Sequence, residues 1–351
     1  MKTGGSIALP PLQHWAGTIA PPLQASSAVV RLSDGAWIDH PSGYLAMSRR
    51  NERFEVPGKP GFIAFRKQGK HLVAFGGVHA PPSHRGRLLD GFLGEAEERR
   101  KVALFVQVRE DAIPIFLERG MTVNQCGASL SLDLADYSFG GAKKMALRKM
   151  IGRARRAGIS ALEIGVDTPR DATAFAQLQA ITRAWLANKR KAELDFMIGE
   201  LGAPGDLSRR IFVGVDDAGR TVGFVTCVPA WGRMPGYLLD LMRCLPDAPS
   251  GTTETIIAEA LRKLMGEGAA FLHLGFAPFI ASGEEYPTAS KSLAWLGRML
   301  RRHGQAIYPS ESQLAYKLKW RPGIIDREFI AARPLSLRAV VDVLRLTRSV
   351  W

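Results

Sequence analysis

Residues 237–276 read YLLDLMRCLPDAPSGTTETIIAEALRKLMGEGAAFLHLGF. Residues 237–242 form an apolar run of strand length, and residues 246–251 are a loop of turn formers. Thr252 or Thr253 can cap a helix running to about Met265, because Ile256, Ile257, Ala260, Leu261 and Leu264 then fall on one face. Gly266 and Gly268 end that helix, and 270–276 is the next strand. Upstream, 210–216 and 221–228 read as strands paired around the turn Asp217-Ala218-Gly219. The same order occurs about 165 residues earlier. Strands 61–66 and 71–76 flank the turn Lys67-Gln68-Gly69-Lys70, and a Pro-rich loop over 80–86 leads to a helix over 88–100. A strand over 101–108, a short helix over 112–119 stopped by Gly120, and a strand over 129–134 complete it. Two passes of strand, loop, amphipathic helix and strand predict an α/β (α+β) protein of two similar halves. Each half is a mixed, mostly antiparallel sheet flanked by helices. The divisions expected are an irregular extension (1–50), a first half (51–136), basic connecting helices (137–200), a second half (201–334) and a C-terminal amphipathic basic helix (335–351).

A chain of 351 residues with 46% hydrophobic content can bury a core in each half. The net charge of +14 and pI near 10.0 point to a polyanionic partner, nucleic acid or an anionic membrane. Cys126, Cys227 and Cys244 stand singly, without zinc or disulfide spacing, which fits a reducing cytosol. Residues 1–28 carry Pro10, Pro11, Pro21 and Pro22 and read neither as a signal peptide nor as a span. A cytoplasmic protein is expected, peripheral at most on the inner face of the cell membrane.

Between the halves, residues 140–157 read as a basic helix. Lys143, Lys144, Arg148, Lys149, Arg153, Arg155 and Arg156 surround a thin apolar stripe of Ala146, Met150, Ala154 and Ala157. The stripe is too thin for a core helix, and charge of one sign suits a phosphate backbone. A helix over 172–192 follows, with Phe175, Leu178, Thr182, Trp185 and Leu186 inward. Lys189 and Glu193 lie four and eight residues beyond Trp185, so both share its face, as an ion pair or as part of a site. Asp240 interrupts an apolar strand that Arg243 ends. Strict alternation puts the two on opposite faces, and both reach one site only if the strand bulges or stops at Met242. Tyr316-Lys317-Leu318-Lys319-Trp320 reads as a strand with Lys317 and Lys319 side by side, suited to phosphate or to protecting a sheet edge. His273 reads as a satisfied core or rim residue, and His79 and His84 lack ligand spacing. No metal, Walker, dinucleotide or Ser-His-Asp pattern is present in the sequence.

Taken in order, these residues resemble the soluble C-terminal domain of the aminoacyl-phosphatidylglycerol synthases, the multiple peptide resistance factor family. The resemblance runs from about residue 60 to 335. It is carried by Asp133-Leu134 through Lys143-Lys144 to Leu147-Arg148, and by Trp185-Leu186 with Lys189, Glu193 and Phe196. Asp240-Leu241-Met242-Arg243 with Pro249 and Gly251, Leu274-Gly275-Phe276-Ala277-Pro278, and Tyr316-Lys317-Leu318-Lys319-Trp320 with Pro322 complete it. It implies tandem GNAT-like acyltransferase folds, an aminoacyl-tRNA donor as co-substrate with no other cofactor, and a phosphatidylglycerol-like acceptor. It also implies that Asp240, Arg243 and Lys317 carry activity. Two departures stand out. The family's membrane-spanning flippase domain has no counterpart in these 351 residues, so a separate flippase is a further expected partner. The family's Gly-Leu-Arg before the last element is Ser312-Gln313-Leu314 here.

An aminoacyl ester is already activated, so positioning and oxyanion stabilisation are expected to supply most of the rate. Asp240 is expected to accept the attacking hydroxyl's proton or to hold the amino acid's ammonium. Arg243, Lys317 and Lys319 are expected to hold phosphate, with Lys189, Glu193, Tyr316 and Lys319 contacting substrate. Lys143, Lys144, Arg148, Lys149 and Arg153 are expected to dock tRNA, and the C-terminal helix to meet an anionic membrane. The competing readings are a transferase with a different acceptor, an acyl-CoA-dependent N-acyltransferase, and a non-catalytic RNA- or membrane-binding protein. Against the acyl-CoA reading, His84-Arg85-Gly86-Arg87-Leu88 is only a remnant of the usual pyrophosphate signature.

Overall fold

The computed structural model describes residues 30–31, 37–189, 195–280, 284–303 and 310–348. A two-stranded ribbon of β1 (Val30–Arg31) and β2 (Trp37–Ile38) precedes the one-turn helix α1 (Gly43–Ala46). The first pass comprises β3 (Glu52–Phe54), β4 (Ile63–Gln68), β5 (His71–Phe75), α2 (Pro82–Glu98), β6 (Val102–Arg109), α3 (Ile113–Leu117) and β7 (Thr122–Asp133). The connecting region holds α4 (Met145–Arg156), β8 (Ser160–Glu163) and α5 (Ala172–Lys189). The second pass is β9 (Arg210–Val215), β10 (Thr221–Ala230), β11 (Gly236–Cys244), α6 (Thr252–Gly266) and β12 (Phe271–Pro278). It is followed by α7 (Lys291–His303), α8 (Ser310–Leu318), β13 (Ile324–Ala332) and α9 (Leu337–Leu346).

The repeat expected from the sequence is present. In each pass an antiparallel hairpin, β4–β5 or β10–β11, leads through a loop and one helix to a strand that returns parallel. A parallel return requires such a crossover. Both passes share a single eleven-stranded sheet of order β3-β4-β5-β6-β13-β7-β12-β11-β10-β9-β8, antiparallel except at β5/β6 and β11/β12. The join is β7 against β12. β13, late in the chain, is hydrogen-bonded between β6 and β7.

The two sheet faces bury different sets of side chains. On one, Phe92 of α2 and Phe116 of α3 pack on Phe65 and Phe105 of the sheet, while Ile257 and Leu261 of α6, with α4 and α8, pack on Leu130 and Leu272. On the other, Phe75, Val106, Phe196 and Leu238 pack with α1, α7 and α9, and Phe175 and Leu178 of α5 pack on Phe224 and Leu241.

Several local expectations are corrected. Residues 316–318 belong to helix α8, not to a strand. The alternation of Leu314, Tyr316, Leu318 and Trp320 mimics a strand, but Glu311, Gln313, Leu314, Ala315, Lys317 and Leu318 are good helix formers and decide the outcome. The inward stripe of α4 is Leu147, Ile151 and Ala154, with Ala146 and Ala157 exposed, so this helix does join the core against α6. The Pro-rich loop is shorter than expected, because α2 starts at Pro82, and proline suits the first helical turn. Neither Thr252 nor Thr253 caps α6. Gly251 holds that position, and the Thr252 hydroxyl donates instead to Pro249 O at 2.6 Å.

Candidate active site

β11 and β12 pair only where Gly236–Leu238 face Phe271–His273. Beyond these residues β11 stays with β10 and β12 stays with β7, so the two parallel strands part at Leu239. A bulge at His273/Gly275 widens the parting, and Gly275 supplies its left-handed φ of 80°. Into this gap α8 projects Lys317, whose side chain is 8% exposed and whose Nζ donates to Phe276 O at 2.5 Å. A Cβ on Gly275 would stand 3.6 Å from that amine and 3.9 Å from Leu239 O. Burial pushes the Lys317 amine down to about 7, against an upward pull from Glu328. An amine poised there exchanges its proton readily at neutral pH.

The condition for Asp240 and Arg243 to share a face is met by a second bulge. Val225 sits opposite Met242 and Cys227 opposite Leu239, so Asp240 and Leu241 together face Thr226. The Thr226 hydroxyl accepts the Leu241 N–H at 3.0 Å, supplying the bond that the ladder loses. Past the bulge, Leu241 packs with Phe175 and Leu178 under α5. Arg243 donates to Thr182 Oγ1 at 2.9 Å and lies 5.7 Å from the Trp185 ring. Asp240 accepts from Gly199 N at 2.7 Å and from Arg209 Nη1 at 2.5 Å, with carboxylate and guanidinium 2% and 4% exposed. Gly199 is needed here, because a Cβ would stand 1.8 Å from Asp240 Oδ2. Burial raises the Asp240 carboxyl, while Arg209, Gly199 N–H and Arg243 pull it down.

Other expected site residues are distributed differently. Lys317 and Lys319 diverge, as helical residues two apart do. Lys319 Nζ donates to Glu254 Oε1 at 3.1 Å and stands 4.7 Å from the Tyr316 ring, beside the start of α6. Tyr316 is half-buried there, and the desolvation of its hydroxyl raises the phenol well above the ordinary value. Lys189 is the last residue of α5, and Glu193 lies outside the described residues. On the basic helix, Lys143, Lys149 and Arg153 are exposed. Lys144 donates to Ser138 O at 2.6 Å over the Tyr137 ring, and Arg148 donates to Phe139 O and Gly141 O, so both tie down the preceding loop. His273 is satisfied in the interior by Ser131 Oγ and Met234 O. Among the described residues no group of three or more His, Cys, Asp or Glu side chains is arranged to hold a metal ion.

Sequence reading missed two residues. Arg209 has no periodic or motif signal and gains meaning only across 31 residues of chain, at Asp240. Glu328, on β13, is 1% exposed. Its Oε1 accepts the Ser129 hydroxyl and lies 3.4 Å from His40 Nε2. Glu328 follows Asp326 and Arg327 directly, so no isolated charge in an apolar run marked it in the sequence.

The comparisons with known proteins bear on the family and the fold. The family model described as phosphatidylglycerol lysyltransferase, C-terminal, matches residues 34–332. The lysylphosphatidylglycerol biosynthesis bifunctional protein LysX of Mycobacterium bovis is 28% identical over 214 residues, which are 59% of this chain and 18% of that protein. This chain therefore spans about a fifth of that relative's length. The structure of L-PGS from Bacillus licheniformis superposes with a TM-score of 0.74 at 21% identity, covering 88% of this chain and 92% of that one. A C-terminal domain from Agrobacterium fabrum gives 0.73 at 22%, covering 89% and 93%. With the family model spanning most of its length, the chain belongs to the phosphatidylglycerol lysyltransferase C-terminal family.

Proposed function

We propose that this chain transfers an amino acid from aminoacyl-tRNA to a hydroxyl of phosphatidylglycerol. The observation that carries the reading is the parting of β11 and β12, into which α8 projects the buried Lys317 amine beside Phe276 O. The lipid hydroxyl oxygen attacks the ester carbonyl carbon while the neutral Lys317 amine takes its proton. The tetrahedral oxyanion then collapses, the bond to the ribose oxygen breaks, and Lys317 returns the proton to that oxygen. Asp240 is held by Arg209 and Gly199, and it ties both ends of the 199–209 segment to β11. Arg243, bound to Thr182 and packed on Trp185, sets α5 against β11. Lys143, Lys149 and Arg153 present exposed charge to the tRNA backbone.

An acyl-CoA donor is less well served. α4 crosses the start of α6 so closely that a Cβ on Gly251 would stand 2.2 Å from Met150 O. A pyrophosphate would need room at that helix N-terminus.

The relatives named for lysylphosphatidylglycerol make lysine the first donor to test. The full chain is incubated with labelled lysyl-tRNA and phosphatidylglycerol vesicles, and lipid and aqueous fractions are separated. Label in the lipid fraction that Lys317→Met abolishes is the expected result. Label appearing only in a water-soluble product overturns the lipid acceptor, and undiminished transfer by Lys317→Met overturns the proton-transfer role.

A further inference from the structure

We infer that the outward faces of α7 and α9 form one surface that docks on an anionic lipid bilayer. The inference rests on the transferase reading and deepens it, by naming the side of the molecule that meets the membrane.

Both helices lie on the same face of the sheet, α7 over β7 and α9 over β4 and β5. Leu293 and Leu296 of α7, and Ala339 and Val343 of α9, turn inward to one apolar layer. A helix whose inner stripe is buried in this way ordinarily shows polar groups to water. These two helices carry apolar pairs on the outer side as well. On α7, Trp295 and Met299 are 57% and 37% exposed. On α9, Leu337 and Val341 are 55% and 40% exposed. Residues four apart share a helix face, so each pair forms a short apolar stripe. The other large apolar side chains exposed among the described residues, Met145, Val166, Leu207 and Ile325, stand singly in separate segments. Clustered exposure of this kind marks an interaction surface, where scattered exposure does not.

The charge around the stripes selects the partner. Lys291 and Arg298 flank Trp295, and Arg338 and Arg345 flank Val341, all four exposed at helical spacing. Among the described residues none of the four has an acidic partner. The sequence of α7 contains no Asp or Glu, and Asp342 of α9 is turned inward, bound to His71 Nδ1 at 2.6 Å. A second copy of the chain would bring the same positive charge to this face and be repelled. A nucleic acid answers the charge and leaves the apolar stripes in water. The exposed cations of α4 also lie on the opposite face of the sheet, where that helix packs with α6 and α8. An anionic bilayer answers both features. The apolar stripes enter the acyl boundary, with the Trp295 indole at the interface, while the four cations meet headgroup phosphates. From β5 to β7 is three strand spacings, roughly 14 Å, so the stripes touch the bilayer at two separated places and fix how the molecule sits on it.

The test is flotation of the full chain with vesicles of mixed phosphatidylglycerol and phosphatidylcholine, against vesicles of phosphatidylcholine alone. The wild type is expected to float with the anionic vesicles, and less so at high salt. Trp295→Ser combined with Leu337→Ser is expected to weaken flotation at least roughly tenfold. Arg298→Gln, Arg338→Gln and Arg345→Gln are expected to weaken it roughly fivefold each. All five side chains are exposed, so these variants are expected to melt as the wild type does. Lys149→Ala with Arg153→Ala, on the other face, is expected to float like the wild type. Undiminished flotation of the α7 and α9 variants, or flotation lost only in the α4 variant, overturns the surface. A wild-type dimer that the α7 and α9 variants dissociate also overturns it, because a second copy then covers this face. Flotation that depends on α7 and α9 without any lipid product overturns the transferase reading and leaves the surface standing. Lipid product with equal flotation of wild type and variants overturns the surface alone.

Discussion

Lys317 is a cation-forming group in a place that disfavours cations, and its behaviour with pH follows from that. Its amine titrates near 7 when folded, against an ordinary value of 10.5. The unfolded chain therefore holds more protons than the folded one between about 7 and 10.5, and the buried amine penalises folding fully below 7. That penalty fades as pH rises through the window. Lys317→Met is accordingly expected to raise the thermal midpoint more at pH 6 than at pH 9.5, read by calorimetry. In activity the sign is the same: transfer by the wild type should rise with pH through an inflection near 7, because the neutral amine takes the proton. A pH-independent rate between 6 and 8 would contradict that role. Arg209 is the second residue with a sharp expectation. Removing it leaves Asp240 buried without its guanidinium, so Arg209→Ala should cost about 3–5 kcal/mol in urea unfolding. Arg209→Met combined with Asp240→Leu should recover much of the loss, since no charge then remains buried.

At the scale of elements, two devices deserve separate treatment by mutation. The β11 bulge turns Asp240 and Arg243 to one face, and Thr226 supplies the bond that makes it affordable. Thr226→Val keeps the shape and removes the hydroxyl, so a loss of about 1–3 kcal/mol is expected, with transfer falling as Asp240 and Arg243 lose registry. The basic segment 143–153, at the start of α4 and along it, splits into two classes of charge. Lys143→Ala, Lys149→Ala and Arg153→Ala together should weaken tRNA binding and flatten its salt dependence, since exposed charges act by releasing counterions. Lys144→Ala and Arg148→Ala should instead loosen the 138–141 loop and lower the thermal midpoint. Titrations at several salt concentrations beside melting curves separate the two.

For the whole molecule, the position of β13 matters most. It closes the sheet between β6 and β7, so the end of the chain completes a layer begun before residue 110. The intact chain is expected to melt in one calorimetric transition. A chain ending at residue 323 would leave β6 and β7 as unpaired, apolar edges, and should aggregate or lose cooperative melting. Independent melting of two halves would show that the shared sheet couples them weakly.

The sequence by itself determined the repeated hairpin, loop, helix and return strand, because those elements rest on local periodicity and turn chemistry that neighbouring residues carry. It also marked Asp240, Arg243 and Lys317, since charges set among apolar residues stand out locally. Only the tertiary structure decided that the halves share one sheet, that a bulge brings Asp240 and Arg243 to one face, and that Lys317 enters from a helix. Arg209 meets Asp240 across 31 residues, and Glu328 meets Ser129 across 199. Such partners are chosen by packing between distant segments, and no local pattern of one chain encodes them.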